Sequence, residues 1–315
     1  MKLFFAIASC TLSISASAAH PQAAKNVTSL TNKAVTYRVP KEHYVTLKAA
    51  EITAIIVDNE AVDIPELPGH KAGYNGVASL KHRKNGENLF VPNYAGLNFE
   101  HIHDGTKENL IEKFEPRKFP MELRVIDAST VELYQAATGN FQLESCGRYH
   151  LKQDGTIEYT FECIPRAETF QHGYIGLFWA SYINAPEDKA IYFQGEPVDG
   201  GSPRLIRAVT PQHGVESVHV AKGTTRFPKV NEDFPLTLVL NRSKFVYTEA
   251  SYYGLRDDLA FTQTFPDSKN LYMVQSPSGG GQGNPAWDFE WFIPDYKVGE
   301  AYGMTMTATY GPLNN

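Results

Sequence analysis

A chain of 315 residues, 42% hydrophobic and 12% aromatic, is long enough to bury a large core, as one large fold or two ordinary domains. Its net charge of −6 and the lack of any Lys/Arg-rich run exclude nucleic acid as a partner, because phosphate binding needs a basic footprint. Beyond the N-terminal segment no apolar run reaches the roughly 18 residues of a membrane helix, so no membrane association is expected after processing.

Lys2, the apolar stretch Leu3 to Ile14 and the small-residue pattern Ala16-Ser17-Ala18 read as an export signal, residues 1–18, cut after Ala18. Periplasmic or secreted location follows as the expectation. Residues 19–44 are polar and turn-rich and are expected as an extended N-terminal arm. Residues 45–315 are expected as a single all-β domain.

From Val45 onward, short β-type runs alternate with turn residues. Glu51 to Asp58 comes first. Gly76 to Arg83 and Asn88 to Asn93 are predicted as a hairpin around Asn85-Gly86. Leu97 to His103 follows. Asp104 to Glu115 alone has helical spacing, through Leu110, Ile111 and Phe114. Met121 to Asp127 and Thr130 to Gln135 resume the strands.

Cys146 and Cys163 flank Asp154-Gly155, a dipeptide suited to a two-residue hairpin turn. In that register Gln153 faces Thr156, and Cys146 faces Cys163. The non-hydrogen-bonded pair so formed brings Cα atoms to about 4.5 Å, which suits a disulfide. Export would allow it to form.

Tyr174 to Ile183, Ala190 to Gln194, Arg204 to Val209, Val215 to Ala221, Leu236 to Leu240, Phe245 to Tyr253, Ala260 to Phe265, Leu271 to Gln275, Trp287 to Ile293 and Tyr302 to Tyr310 complete the series. So many strands with hardly any helix predict an all-β fold, a large antiparallel sandwich or barrel.

Two stretches carry a family likeness. One is Gly73-Tyr74-Asn75-Gly76-Val77-Ala78-Ser79-Leu80 with Lys84-Asn85-Gly86-Glu87-Asn88-Leu89-Phe90. The other is Asn284-Pro285-Ala286-Trp287-Asp288-Phe289-Glu290 with the closing strand Tyr302 to Tyr310. They resemble the opening hairpin and the last strands of the galactose-mutarotase-like β-supersandwich proteins. The resemblance implies a large antiparallel β-supersandwich, with a cupin-like or jelly-roll double sandwich as the alternative. It also implies a carbohydrate ligand. The chain departs from the family at its His-containing catalytic segment, to which His172-Gly173-Tyr174 is the nearest counterpart.

Four clusters could carry chemistry. In Glu100-His101-Ile102-His103-Asp104, strand alternation projects His101 and His103 to one face. Two imidazoles there could act as an acid/base pair, could hold a divalent metal with Glu108, or could be packed histidines. His172 precedes a strand with Trp179 on one face and Phe178, Ala180 and Tyr182 on the other. Aromatic rings stack on sugar C–H faces, and they equally fill β cores. After the glycine-rich loop Ser276 to Pro285, Trp287, Phe289 and Trp291 share one face, and Asp288 and Glu290 share the other. His213 and Glu216 face apart on an ideal strand.

The expectation drawn is a secreted carbohydrate-active enzyme of epimerase, mutarotase or lyase type. His101, His103, His172 and Glu290 would move protons, and Trp179, Tyr182, Trp287, Asn98 and Arg204 would bind substrate. No cofactor is expected in this reading. A non-catalytic glycan-binding protein and a metal-dependent cupin-like enzyme are the alternatives.

Overall fold

The computed structural model describes residues 23–107, 114–281 and 283–313. The export signal, Glu108 and half of the expected 104–115 helix, residues 108–113, lie outside them. The strands in chain order are β1 (Tyr44–Ala49), β2 (Ile52–Val57), β3 (Val62–Ile64), β4 (Leu67–His70), β5 (Gly76–His82), β6 (Asn98–His103), β7 (Glu122–Val125), β8 (Thr130–Gln135), β9 (Leu143–Leu151) and β10 (Ile157–Pro165). They continue as β11 (Tyr174–Ala180), β12 (Ile191–Pro197), β13 (Arg204–Ala208), β14 (Val218–Ala221), β15 (Arg242–Arg256), β16 (Leu259–Thr264), β17 (Leu271–Ser276), β18 (Ala286–Pro294) and β19 (Tyr302–Gly311). One helical turn, α1 (Glu115–Lys118), precedes β7.

Fourteen strands form one sheet, in the order β6-β11-β18-β17-β14-β15-β16-β19-β10-β9-β8-β7, with β12 and β13 branching from β15. Within it β14 runs parallel to β15, and the other described pairings are antiparallel. A three-stranded sheet β1-β2-β5 accompanies it. Trp179 on β11 contacts Phe161 on β10 at 4.9 Å between ring centroids, and its Nε1 donates to the Tyr159 hydroxyl at 3.0 Å. Strands far apart in the sheet order therefore meet, so the sheet folds back on itself around a shared core. Leu47, Ile56 and Leu80 of the small sheet join that core.

Strand alternation sorts the side chains. On β18, Trp287, Phe289, Trp291 and Ile293 enter the main core, and Ala286 and Phe292 belong to a second apolar cluster on the opposite face. On β11, Ile175, Leu177 and Trp179 face the main core, and Tyr174, Phe178 and Ala180 face the second cluster. Phe234, Leu236 and Val239 cover that second cluster. The run Leu236 to Leu240, expected as a strand, forms a 3-10 turn at Thr237–Val239 instead. A short apolar run reads alike as strand or cover. Asn88 to Asn93 likewise contributes only isolated bridges, Lys81↔Asn88 and Phe90↔Ile183.

The described part of the N-terminal segment lies against β8 and β10. Thr28 Oγ1 donates to Glu162 at 2.7 Å, and the Ser29 amide donates to Glu132 at 3.1 Å.

The expected disulfide is absent: Cys146 and Cys163 are both free and buried. The β9–β10 turn holds three residues, not two. Lys152 N bonds Thr156 O at 2.8 Å, Gly155 N bonds Lys152 O at 2.9 Å, and Gly155 adopts φ 88°. A three-residue loop with a left-handed glycine shifts the register by one. Cys146 then faces Glu162, and Cys163 faces Ser145. One thiol packs with Leu30 and Ile164, and the other enters the main core from the opposite face.

Candidate active site

The face of β6, β11, β17 and β18 beneath the 234–239 cover holds a cavity of about 230 Å³. Its polar lining includes Tyr74, Glu100, His101, Arg117, Tyr182 and Asp288. On an ideal strand Glu100 and His101 would point to opposite faces. Here the β6–β11 register jumps, with Phe178 opposite His101 and Trp179 opposite Phe99. The jump is a β-bulge with Glu100 as its extra residue, and it turns both side chains into one cavity. The same slip leaves Phe99 and Ile102, three apart, both in the main core.

Glu100 is the hub. It accepts from the Tyr182 hydroxyl at 2.5 Å, lies 3.2 Å from His101 Nε2, and is 3.7 Å from Arg117 Nη1. Burial pushes its carboxyl up, but His101, Arg117 and Tyr182 outweigh that and hold it below the usual glutamate value. The Arg117 guanidinium lies 3.6 Å from the Tyr74 ring centre, and its Nε donates to Gly73 O at 2.9 Å. The His101 ring stacks on Phe114 at 4.8 Å and tilts against Phe178 at 5.5 Å.

Asp288 is the opposite case. It is buried, its Oδ1 accepts from Ser181 N at 2.9 Å, and burial drives its carboxyl well above the ordinary 3.8, with the Glu100 charge adding to the shift. One cavity therefore holds a carboxylate whose charge is favoured and a carboxyl whose proton is favoured. Such separation is how two carboxyls take different proton-transfer roles.

Next to this cavity, and sealed from it, His103 Nε2 meets Glu290 Oε1. Burial, then the charge of His101, lowers His103 to about 3, and burial raises Glu290 well above the ordinary 4.5. Burial thus disfavours the charged form of both groups. His103 Nδ1 and Glu290 Oε2 find no hydrogen-bond partner among the described residues. A Cβ on Gly176 would lie 2.4 Å from the His103 ring, so the imidazole fits only because that strand residue is glycine.

The remaining expected site residues are dispersed. His172 is at the other end of the sheet face, its Nδ1 donating to Lys229 O at 2.9 Å. Trp179 and Trp287 are fully buried on the core face, stacked on Phe289 and packed over Gly254 respectively. Asn98 is buried and donates to Asn75 O at 2.9 Å. Arg204 is exposed on β13. Tyr182 is the one expected binding residue that lines the cavity. Among the described residues no group of three His, Cys, Asp or Glu side chains is placed to hold a metal ion. His101 and His103 each turn Nε2 to a different carboxylate. Sequence reasoning missed Glu100, Arg117, Tyr74 and the burial of Asp288. The alternation pattern contains no sign of a bulge, and Arg117 stands in no motif.

No family model matches the sequence, and no curated protein does. The structure, however, is similar to a putative aldose 1-epimerase from Escherichia coli K12, with a TM-score of 0.50 and 9% identity over 86% of this chain and 99% of that one. It is also similar to a galactose mutarotase related enzyme from Lactobacillus acidophilus, with a TM-score of 0.51 and 11% identity over 86% and 98% of the two chains. The fold is the galactose-mutarotase-like β-supersandwich. At such low identity the likeness concerns the fold. Within the supersandwich, the cavity under 234–239 is where Glu100, His101, Arg117 and Asp288 come together.

Proposed function

We propose that this protein is an exported enzyme that performs acid–base chemistry on a monosaccharide, of the mutarotase or epimerase type. The observation that carries the reading is the convergence in one cavity of Asp288, a buried carboxyl whose proton burial favours, with Glu100 and its partners His101 and Arg117. In this reading His101, oriented by Glu100, takes the proton of the anomeric hydroxyl. Asp288 gives a proton to the ring oxygen as the bond between that oxygen and the anomeric carbon breaks. The open-chain aldehyde then recloses on either face, and the two protons return to their donors. Arg117 and the Tyr182 hydroxyl hold Glu100, and the guanidinium has further N–H donors for sugar hydroxyls. Phe178 and Leu236 supply an apolar wall. A cavity of about 230 Å³ suits one ring better than an oligosaccharide. The fold likeness supports a carbohydrate, since both similar structures are named for aldose or galactose chemistry.

The test is anomer exchange, followed by proton NMR, over a panel of aldoses. The wild-type protein is expected to accelerate at least one of them. Asp288→Asn and His101→Asn should each lower that rate by about 10²-fold or more while circular dichroism stays unchanged. Failure to accelerate any aldose, or full activity in Asp288→Asn, would remove the proposal.

A further inference from the structure

A second cavity, about 400 Å³, opens at the opposite end of the same sheet face, where β11 begins and β18 ends. Small-molecule sites span roughly 300–1,000 Å³. Four basic side chains line it, Lys222, Arg226, Lys229 and Lys269, and no acidic one does, in a chain of net charge −6. Two of these are already matched. Lys222 Nζ lies 3.0 Å from Glu196, and Arg226 makes a bidentate contact with Asp295 at 2.7 and 2.8 Å. Lys229 and Lys269 have no ion pair among the described residues. Asp267 accepts from the Lys269 backbone amide at 2.9 Å, but neither ammonium is ion-paired among the described residues, so positive charge predominates at the mouth of a concave site, where it would concentrate anions.

The walls add a second kind of selectivity. His172 Nδ1 and the Tyr174 hydroxyl both donate to Lys229 O, at 2.9 and 3.0 Å, which fixes the backbone that carries Lys229. The His172 ring thereby keeps Nε2 for another partner. Tyr272 lines the cavity at 4% exposure, and its hydroxyl has no hydrogen bond among the described residues. A hydroxyl without a protein partner in a cavity wall is a place for a ligand oxygen. Tyr174, Tyr272 and Phe292 give an aromatic floor, and Thr224, Ser268 and Asn270 give hydroxyl and amide groups around it. An inorganic anion would use the lysines alone, whereas an anionic ring would also use the floor and the polar rim.

We infer that this cavity is a second binding site, for a sugar ring carrying one carboxylate or sulfate, with the anion between Lys229 and Lys269 and the ring on Tyr174 and Tyr272. The site is separate from the acid–base cavity and stands whether or not that cavity is catalytic.

The experiment is calorimetric titration of the full chain with galacturonate, galactose 6-sulfate, galactose and inorganic sulfate. At least one anionic sugar should bind about tenfold tighter than galactose or sulfate, and the preference should fade at high salt. Comparing the two anionic sugars identifies which anion is taken. Lys229→Gln/Lys269→Gln, at exposed positions, should abolish the preference with an unchanged melting temperature. Asp288→Asn should preserve it. Equal binding of charged and neutral rings overturns the inference, as does sulfate binding as tightly as the sugars. So does a preference that survives the double lysine variant, or one that disappears in Asp288→Asn.

Discussion

The Tyr182 hydroxyl donates to Glu100 Oε2 at 2.5 Å, joining the segment just after β11 to the bulge of β6. Tyr182 also packs against Tyr74 and Tyr94, at 5.7 and 5.2 Å between ring centres. One side chain thus holds both the charge of the hub carboxylate and the aromatic rim beside it. A hydrogen bond to a charged acceptor in a buried site contributes about 1.5–3 kcal/mol. Tyr182→Phe keeps the ring and removes only that bond. It is expected to lower anomer-exchange rates about tenfold and to reduce stability by about 1–2 kcal/mol, read by NMR and by urea melts.

Stability should fall on both sides of a middle pH. His103 and His219 are each buried, and burial lowers each to about 3 from 6.5. Unfolding lets them take up protons that the folded state refuses, so stability is lost as pH falls from 6.5 toward 3. Asp288 and Glu290 act in the opposite sense. Burial raises both, so stability is fully present below their ordinary values of 3.8 and 4.5 and is lost as pH rises through their folded values. Urea melts across pH should show a dome. His219→Gln should flatten its acid limb, and Asp288→Asn should flatten its alkaline limb. An unchanged acid limb in His219→Gln would contradict the neutral buried imidazole.

Gly176 sits under the His103 ring, and any Cβ there would come within 2.4 Å of it. Gly176→Ala must push the imidazole away from Glu290 or shift β11. A destabilisation of about 1–3 kcal/mol is expected, as for other overpacked cores. Retention of wild-type stability would show that the pair has room to move.

Both cysteines are free, on opposite faces of the β9–β10 hairpin. Their burial pushes both thiols up, so they should resist alkylation in the native state. Mass spectrometry of the peptides that carry Cys146 and Cys163 is expected to find both labelled after denaturation without reductant, and the melting temperature should not respond to dithiothreitol. A mass two hydrogens lower, with no labelling, would restore the bridge.

Much of the fold was legible because strand alternation is local. The composition of β18, Trp-Asp-Phe-Glu-Trp from Trp287 to Trp291, already separates a core face from a polar face, and the structure sorts those residues in that way. Thr130–Gln135 and Tyr302–Gly311 could be bounded within a residue because turn residues flank a β-branched and aromatic run. The many short strands and the hardly interrupted β pattern sufficed for an all-β sandwich or barrel, and the supersandwich followed from the family resemblance of the opening hairpin and the closing strands. The hairpin at Gly155 marks the limit. Its dipeptide is compatible with loops of two or three residues, and a single residue decides whether two thiols meet or face apart.

The sequence by itself determined which side chains share a strand face, because that depends on a two-residue period of the backbone. Only the tertiary structure decided which of the two faces became a cavity, that the indoles of Trp179 and Trp287 lie on the sealed one, and that Glu100 joins His101. The physical reason is range. Pairing partners, bulges and the cover at 234–239 are chosen by contacts between residues far apart in the chain. No local pattern records whether a buried carboxyl such as Asp288 will meet a wall of apolar atoms or a counter-charge such as the guanidinium of Arg117.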